Sequence, residues 1–166
     1  MGQVPPSKRE AVLITTERSI DVDASADRVW AVLGRFMHID EFHPWVSKVE
    51  VLSKETAGVG ACRRCHFKDG SSLVEKVVEW QEGRFYRVEL SESALPFNEA
   101  VTRFGVEPLG PARSRVTLRM RYQVKYGPIG WLMGKTVMER RMGDLFLAVL
   151  RGLQERVTGG SAPAAT

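Results

Sequence analysis

The sequence predicts an α+β domain in which a curved seven-stranded antiparallel sheet wraps around one long C-terminal helix, with two short helices after the first strand. Three observations lead there. Six strand-like runs follow one another between residues 46 and 126, divided by turn signals such as Asp69-Gly70 and Glu82-Gly83. A seventh run and a short helical segment precede them. After Gly127-Pro128 the apolar period lengthens from two residues to that of a helix.

Residues 1–10 read as a disordered polar lead, 11–158 as a single domain, and 159–166 as a disordered small-residue tail. The first strand covers 13–22. Ser25 is placed to cap a helix, with Asp27 in its first turn and Val29, Trp30, Val32, Leu33 and Phe36 at helical spacing. A second short helix over 38–42 ends ahead of Pro44, which disfavours helical backbone at His43. Strands are expected over 46–54, 59–68, 72–81, 84–93, 99–108 and 113–126. In the last of them Val116, Leu118, Met120, Tyr122 and Val124 alternate with Arg115, Thr117, Arg119, Arg121, Gln123 and Lys125, so one face is buried and the other wet. The C-terminal helix carries an apolar stripe of Met138, Met142, Leu145, Val149 and Leu153 and extends to Val157, about 45 Å at 1.5 Å per residue. Gly127, Gly130 and Gly134 predict a loop in place of its first turns.

With 43% hydrophobic and 27% charged residues, the chain of 166 can bury a core without disulfides and is too apolar to be disordered throughout. Net charge is +4, yet residues 1–83 carry 11 basic and 13 acidic side chains, and residues 84–166 carry 13 and 7. The surplus is therefore local. Arg115, Arg119, Arg121 and Lys125 hold much of it without exposed aromatics between them, which favours a solvated sheet face and disfavours nucleic acid. The start has no apolar secretory core, and Pro6 breaks a myristoylation pattern at Gly2. No run approaches the roughly 20 apolar residues of a membrane span. A soluble, cytoplasmic protein without stable membrane insertion, monomer or homodimer, is expected.

Cys62-Arg63-Arg64-Cys65-His66 matches a haem-attachment pattern. On a strand, however, positions three apart point to opposite faces and cannot clasp one porphyrin. Two reduced thiols in a hairpin is the reading that remains. Three dispersed histidines make no metal site, no nucleophile or phosphate-loop motif occurs, and no cofactor is expected.

Arg63 and Glu75 are the first candidates for chemistry. They stand six residues either side of Asp69, so a hairpin turning there makes them cross-strand partners. Facing inward they form a buried ion pair that can orient or polarise a ligand carbonyl; facing outward they form a surface bridge of little weight. His43, where a short helix meets a strand, has a side chain suited to acid–base work at a cavity mouth, or is a surface histidine. A concave sheet and a convex helix do not pack flush along their whole length, which leaves interior space. Its expected walls include Phe42, Cys65, Tyr86, Leu90, Phe104, Leu118, Met138 and Met142, with Val88, Thr102, Val106 and Met133 nearby. Trp45, Pro96-Phe97 and Ile129-Trp131-Leu132 in loops or at the helix start read as a gate, with Trp45 and Phe97 counted among the ligand contacts.

The element order resembles the START/Bet v 1-like (SRPBCC) superfamily. Particular runs are similar to its bacterial polyketide cyclase/dehydrase branch: Ser25-Ala26-Asp27-Arg28-Val29-Trp30-Ala31-Val32-Leu33, Phe42-His43-Pro44-Trp45-Val46, Gly58-Val59-Gly60-Ala61 with Arg63, Asp69-Gly70 followed by Glu75-Lys76-Val77, and Leu95-Pro96-Phe97. Related sequences often have Trp where Phe42 stands; here the indole comes at Trp45. The resemblance implies a helix-grip fold with an internal cavity for hydrophobic small molecules, among carriers, lipid-transfer proteins and aromatase/cyclases. Two functions are thus expected to compete. One is a carrier or sensor of a lipid-like, polyketide or aromatic molecule. The other is a cyclase/dehydratase-like enzyme using Arg63, Glu75 and His43 without metal or covalent nucleophile. Binding to nucleic acid or an anionic membrane through the basic face is a distant third.

Overall fold

The computed structural model of the chain describes residues 13–95, 97–124 and 128–159, the side chains of 124 and 128–136 excepted. In chain order the elements are β1 (Leu13–Val22), α1 (Ala26–Leu33), a 3-10 helix (Phe36–Glu41), β2 (Val46–Val51), β3 (Cys62–Phe67), β4 (Ser72–Gln81), β5 (Phe85–Ser91), β6 (Phe97–Gly110), β7 (Arg113–Val124) and α2 (Pro128–Thr158). The sheet is antiparallel throughout, in the order β1-β7-β6-β5-β4-β3-β2. Strands β2 to β7 pair as successive hairpins, and β1 closes on β7 from the far end of the sequence. Register shifts at Val46/Lys48, Val77/Glu79, Phe97/Glu99 and Pro108/Gly110 bend the strands, as bulges do, and the sheet curves round α2.

Local chemistry accounts for the elements. The Ser25 hydroxyl accepts from the Arg28 N–H at 3.2 Å and caps α1, which buries Val29, Trp30 and Leu33. The second helix is a 3-10 turn, kinked at His38 (φ −116°), and Phe36 belongs to it rather than to α1. Strands β2 and β3 are shorter than predicted because Gly58 and Gly60 both adopt positive φ (81° and 94°), which takes residues 52–61 out of extended backbone. α2 is helical from Pro128, where glycines predicted a loop; proline suits a first helical position, where its missing N–H has no partner to lose.

The core lies between the concave sheet face and α2. Phe146, Val149, Leu150, Leu153 and Val157 form the buried stripe of the helix. Leu145, predicted on that stripe, is instead 37% exposed, because the helix is rotated so that Phe146 and Leu150 face inward. At one end of the interior an aromatic plug fills the space. Trp30 meets Trp80 edge-on at 5.2 Å, Tyr86 stacks on Trp80 at 5.5 Å, and Phe36 meets Tyr86 at 5.6 Å. Glu82 fixes both indoles, accepting from Trp30 at 2.7 Å and from Trp80 at 2.8 Å.

Part of the basic face of β7 is answered from β1. Asp21 accepts from Arg115 at 2.8 Å and from Arg113 at 3.1 Å, and Glu17 pairs with Arg119. Glu17 and Asp21 are the register partners of Arg119 and Arg115, so strand pairing itself juxtaposes the charges. Lys125, the lead 1–10 and the tail residues 160–166 lie outside the described residues. No helix among the described residues is long and apolar enough to cross a membrane.

Candidate functional site: a cavity with a buried ion pair in its wall

Beyond the aromatic plug the interior is hollow. A cavity of about 820 Å³ lies between α2 and the inner faces of β3 to β7, within the range that encloses a drug-sized molecule. Cys65, Leu73, Leu90, Phe104, Leu118 and Met120 form its sheet wall, and Met138, Met142, Phe146 and Val149 its helical wall. Its mouth is framed by three loops and the helix. His43 and Trp45 come from the segment before β2, Lys68 to Ser72 from the β3–β4 hairpin, Ser93 to Leu95 from the β5–β6 connection, and Val137 and Arg141 from α2. Trp45, Leu95, Val137 and Leu145 are the exposed apolar side chains of this rim.

Arg63 and Glu75 are direct register partners across the hairpin that turns at Asp69-Gly70, and both are buried. Gly70 takes φ 87°, and the Asp69 carboxylate accepts from the Ser71 N–H at 2.9 Å, which sets the turn. The Arg63 Nε donates to Glu75 Oε2 at 2.7 Å. One terminal nitrogen lies against the same oxygen as an ion pair without the alignment of a hydrogen bond, and the other donates to the Phe36 carbonyl. The guanidinium carbon sits 3.9 Å over the Phe36 ring. Burial, the largest single influence, lowers the arginine's proton affinity, but the neighbouring groups, the Glu75 carboxylate first among them, together outweigh it and Arg63 stays cationic.

The pair is asymmetric toward the cavity. Arg63 is fully buried and is not among the lining residues, whereas Glu75 is. Glu75 Oε2 also faces the Cys65 thiol at 3.7 Å, and among the described residues Oε1 receives no hydrogen bond. Burial pushes the Cys65 thiol up to about 12, so it remains a neutral, weakly polar part of the wall. The sequence expectation that the pair polarises a ligand carbonyl requires a donor at the surface of the cavity. The donor faces away, and the group presented is an acceptor.

His43 is half-buried at the mouth, its ring 5.9 Å from those of Trp45 and Phe67. Its Nδ1 accepts from the Trp45 N–H at 3.3 Å, which assigns the ring proton to Nε2. Burial, with Glu75 opposing and Arg63 adding to it, holds the imidazole down at about 4, against 6.5 for a free ring. A depressed pKa stabilises the fold fully above 6.5 and progressively less as pH falls toward 4, because the unfolded chain binds the proton first. Urea titrations from pH 7 to pH 4 should therefore show stability falling through this window, with a shallower slope in His43→Asn. Equal slopes in the two proteins would place the ring in water.

The structure brings together on the cavity Glu75, His43, Trp45, Cys65, Leu90, Phe97, Phe104, Leu118, Met138 and Met142. Four expected wall residues are elsewhere, Val88 and Val106 among them, both buried in the core off the cavity. Tyr86 lies in the aromatic plug, its phenol pushed up by burial, and Phe42 is packed in the core beneath the mouth. Phe97, expected in a gate loop, is a buried residue of β6, its ring tilted against that of Tyr122 at 4.7 Å. Pro96 and the side chains of Ile129, Trp131, Leu132 and Met133 lie outside the described residues. Sequence reasoning missed Arg141 and the hairpin tip at Lys68. The signal for Arg141 was present: it stands three residues after Met138 and four before Leu145, on the flank of the apolar stripe. Cys62 and Cys65 point to opposite faces of β3 as free thiols, and His66 faces solvent, 3.1 Å from Glu50.

Comparisons with known proteins follow the same lines. The family model described as polyketide cyclase / dehydrase and lipid transport matches residues 14–158. Norcoclaurine synthase from Thalictrum flavum, solved with dopamine and hydroxybenzaldehyde, superposes with a TM-score of 0.74 at 20% identity, over 98% of this chain and 96% of that one. A START superfamily protein from Mycobacterium smegmatis gives 0.73 at 17% identity, over 89% and 99%. The Zhui aromatase/cyclase from Streptomyces sp. R1128 gives 0.69 at 19% identity, over 92% and 100%. At these identities the likeness is one of fold. No curated protein matches the sequence.

Proposed function

We propose, from the premise that the chain belongs to the polyketide cyclase / dehydrase and lipid transport family, that it encloses a hydrophobic small molecule between sheet and C-terminal helix, as a carrier or sensor. The observation that carries this reading is the cavity of about 820 Å³, walled by Leu90, Phe104, Leu118, Met138 and Met142. Apolar walls around a space of that size gain dispersion contacts from an apolar molecule that fits between them. The methionines suit an occupant of irregular shape, because thioethers adapt to what they touch.

A second reading has one observation in its favour. Glu75 and the neutral His43 lie on the same cavity, an acceptor and a donor of the kind that moves protons in a cyclisation or dehydration. The two readings separate by fate of the ligand: a carrier releases it unchanged, an enzyme does not.

Native mass spectrometry of the purified chain should show a non-covalent adduct or, after delipidation, uptake of an environment-sensitive apolar dye. Leu90→Trp, which places an indole in the cavity, should weaken dye binding at least tenfold while the protein stays folded. If the unaltered chain takes up no apolar probe, or if Leu90→Trp binds as well as the parent, the cavity is not a ligand site.

A further inference from the structure

We propose that the molecule bound in this cavity carries a neutral hydroxyl group, phenolic or alcoholic, that donates a hydrogen bond to Glu75. The inference rests on the cavity being a ligand site, and adds to it the chemical class of the occupant.

The wall presents a carboxylate whose two oxygens are in different states. Oε2 is committed to Arg63 Nε at 2.7 Å, to a second Arg63 nitrogen and to the Cys65 thiol. Oε1 has no hydrogen-bond partner among the described residues, although Glu75 is only 8% exposed. Oε1 is not sealed from solvent but lies open to the cavity, so an apolar molecule that displaces water from it incurs a cost unless that molecule itself donates to it. The molecule that fills the space is the natural donor.

The partners of Glu75 decide what kind of donor. The Arg63 cation already balances the carboxylate, and it is sealed behind it against Phe36. A ligand ammonium would bring a second cation to a carboxylate already neutralised. A ligand carboxylate or carbonyl would set an acceptor against an acceptor, with no route to the arginine. A hydroxyl meets neither objection, and it donates to a charged acceptor in a setting of low polarity, where such bonds are strong. On the same cavity His43, with Nδ1 engaged by Trp45, offers an N–H donor, so the two polar groups differ in sense. The rest of the wall, from Leu90 and Phe104 to Met142, fits an apolar body.

The test uses the full chain and four probes of one shape: trans-stilbene, 4-hydroxystilbene, 4-methoxystilbene and stilbene-4-carboxylate, titrated by fluorescence. The hydroxyl compound should bind at least tenfold more tightly than the methoxy compound and the carboxylate. In Arg63→Met/Glu75→Leu, which removes both charges together, that preference should vanish while stilbene continues to bind. If stilbene and its methoxy derivative bind but the hydroxyl confers no advantage, or if the preference survives in the double variant, the assignment to Glu75 is wrong and the cavity reading stands. If none of the four binds, both fail. The ranking in the unaltered chain decides the matter even if the double variant does not fold.

Discussion

Arg63→Ala should lower the unfolding free energy by about 3–5 kcal/mol, because it strands a carboxylate inside the domain without its cation. For a chain of this length that corresponds to a fall in thermal midpoint of roughly 10 °C. Three interactions go together: the ion pair with Glu75, the hydrogen bond to the Phe36 carbonyl, and the stacking of the guanidinium over the Phe36 ring. Arg63→Lys should recover only part of the loss, since an ammonium cannot serve the carboxylate and the carbonyl with the same planar fork. Arg63→Met/Glu75→Leu should recover most of it, since replacing both charges by apolar groups of similar size spares the cost of burying either. Urea unfolding of the four proteins checks the series. A loss below about 1 kcal/mol for Arg63→Ala would mean that the pair behaves like an exposed bridge.

The contrast between the single and the double variant also bears on why the pair is there. If the double variant is as stable as the parent, the ions contribute little net stability to the domain. Their retention would then be better explained by what Glu75 offers to the cavity than by what it does for folding.

How far the pair could be read from sequence is instructive. Its register could be, because Asp69-Gly70 is a strong local turn signal and Arg63 and Glu75 are equidistant from it. Its face could not be: alternation sets Arg63 and Cys65 opposite Cys62 and Arg64, so each face holds one cysteine and one arginine and neither reads as the inner one. What alternation does not carry is distance along the sheet. Tyr86 and Leu90 share a face of β5, yet one is in a filled end of the interior and the other borders the cavity. The boundary is drawn by Trp30 from α1 and Trp80 from β4, brought together by Glu82, and no local pattern announces that meeting. The ion pairs of the basic stripe are hidden from the sequence for the same reason. Asp21 and Glu17, which answer it, are almost a hundred residues away and arrive only when β1 pairs with β7. Local signals therefore placed strands and turns, whereas the extent of the hollow depends on contacts among distant elements.

Gly152 makes that distinction measurable. In the interior of a helix alanine is favoured over glycine by about 1 kcal/mol, so from sequence alone Gly152→Ala should stabilise α2. The structure reverses the sign. A Cβ at this position would overlap the Phe42 carbonyl oxygen, a backbone atom at the end of the 3-10 helix, which cannot swing aside as a side chain can. We expect Gly152→Ala to be destabilised by about 2–3 kcal/mol, the upper range for overpacking. The displacement should also reach the cavity, because Phe42 is bonded to His43 and the 43–45 segment frames the mouth. Binding of an apolar dye should weaken along with stability. Gly143→Ala is the control on the same helix: its Cβ would meet the guanidinium end of Arg18, which can rotate away, so the change should stay within about 1 kcal/mol of the parent. If Gly152→Ala were as stable as Gly143→Ala, helix and 3-10 turn would not be in backbone contact. The mouth would then be held by side chains alone, and the coupling between helix position and cavity entrance would be lost.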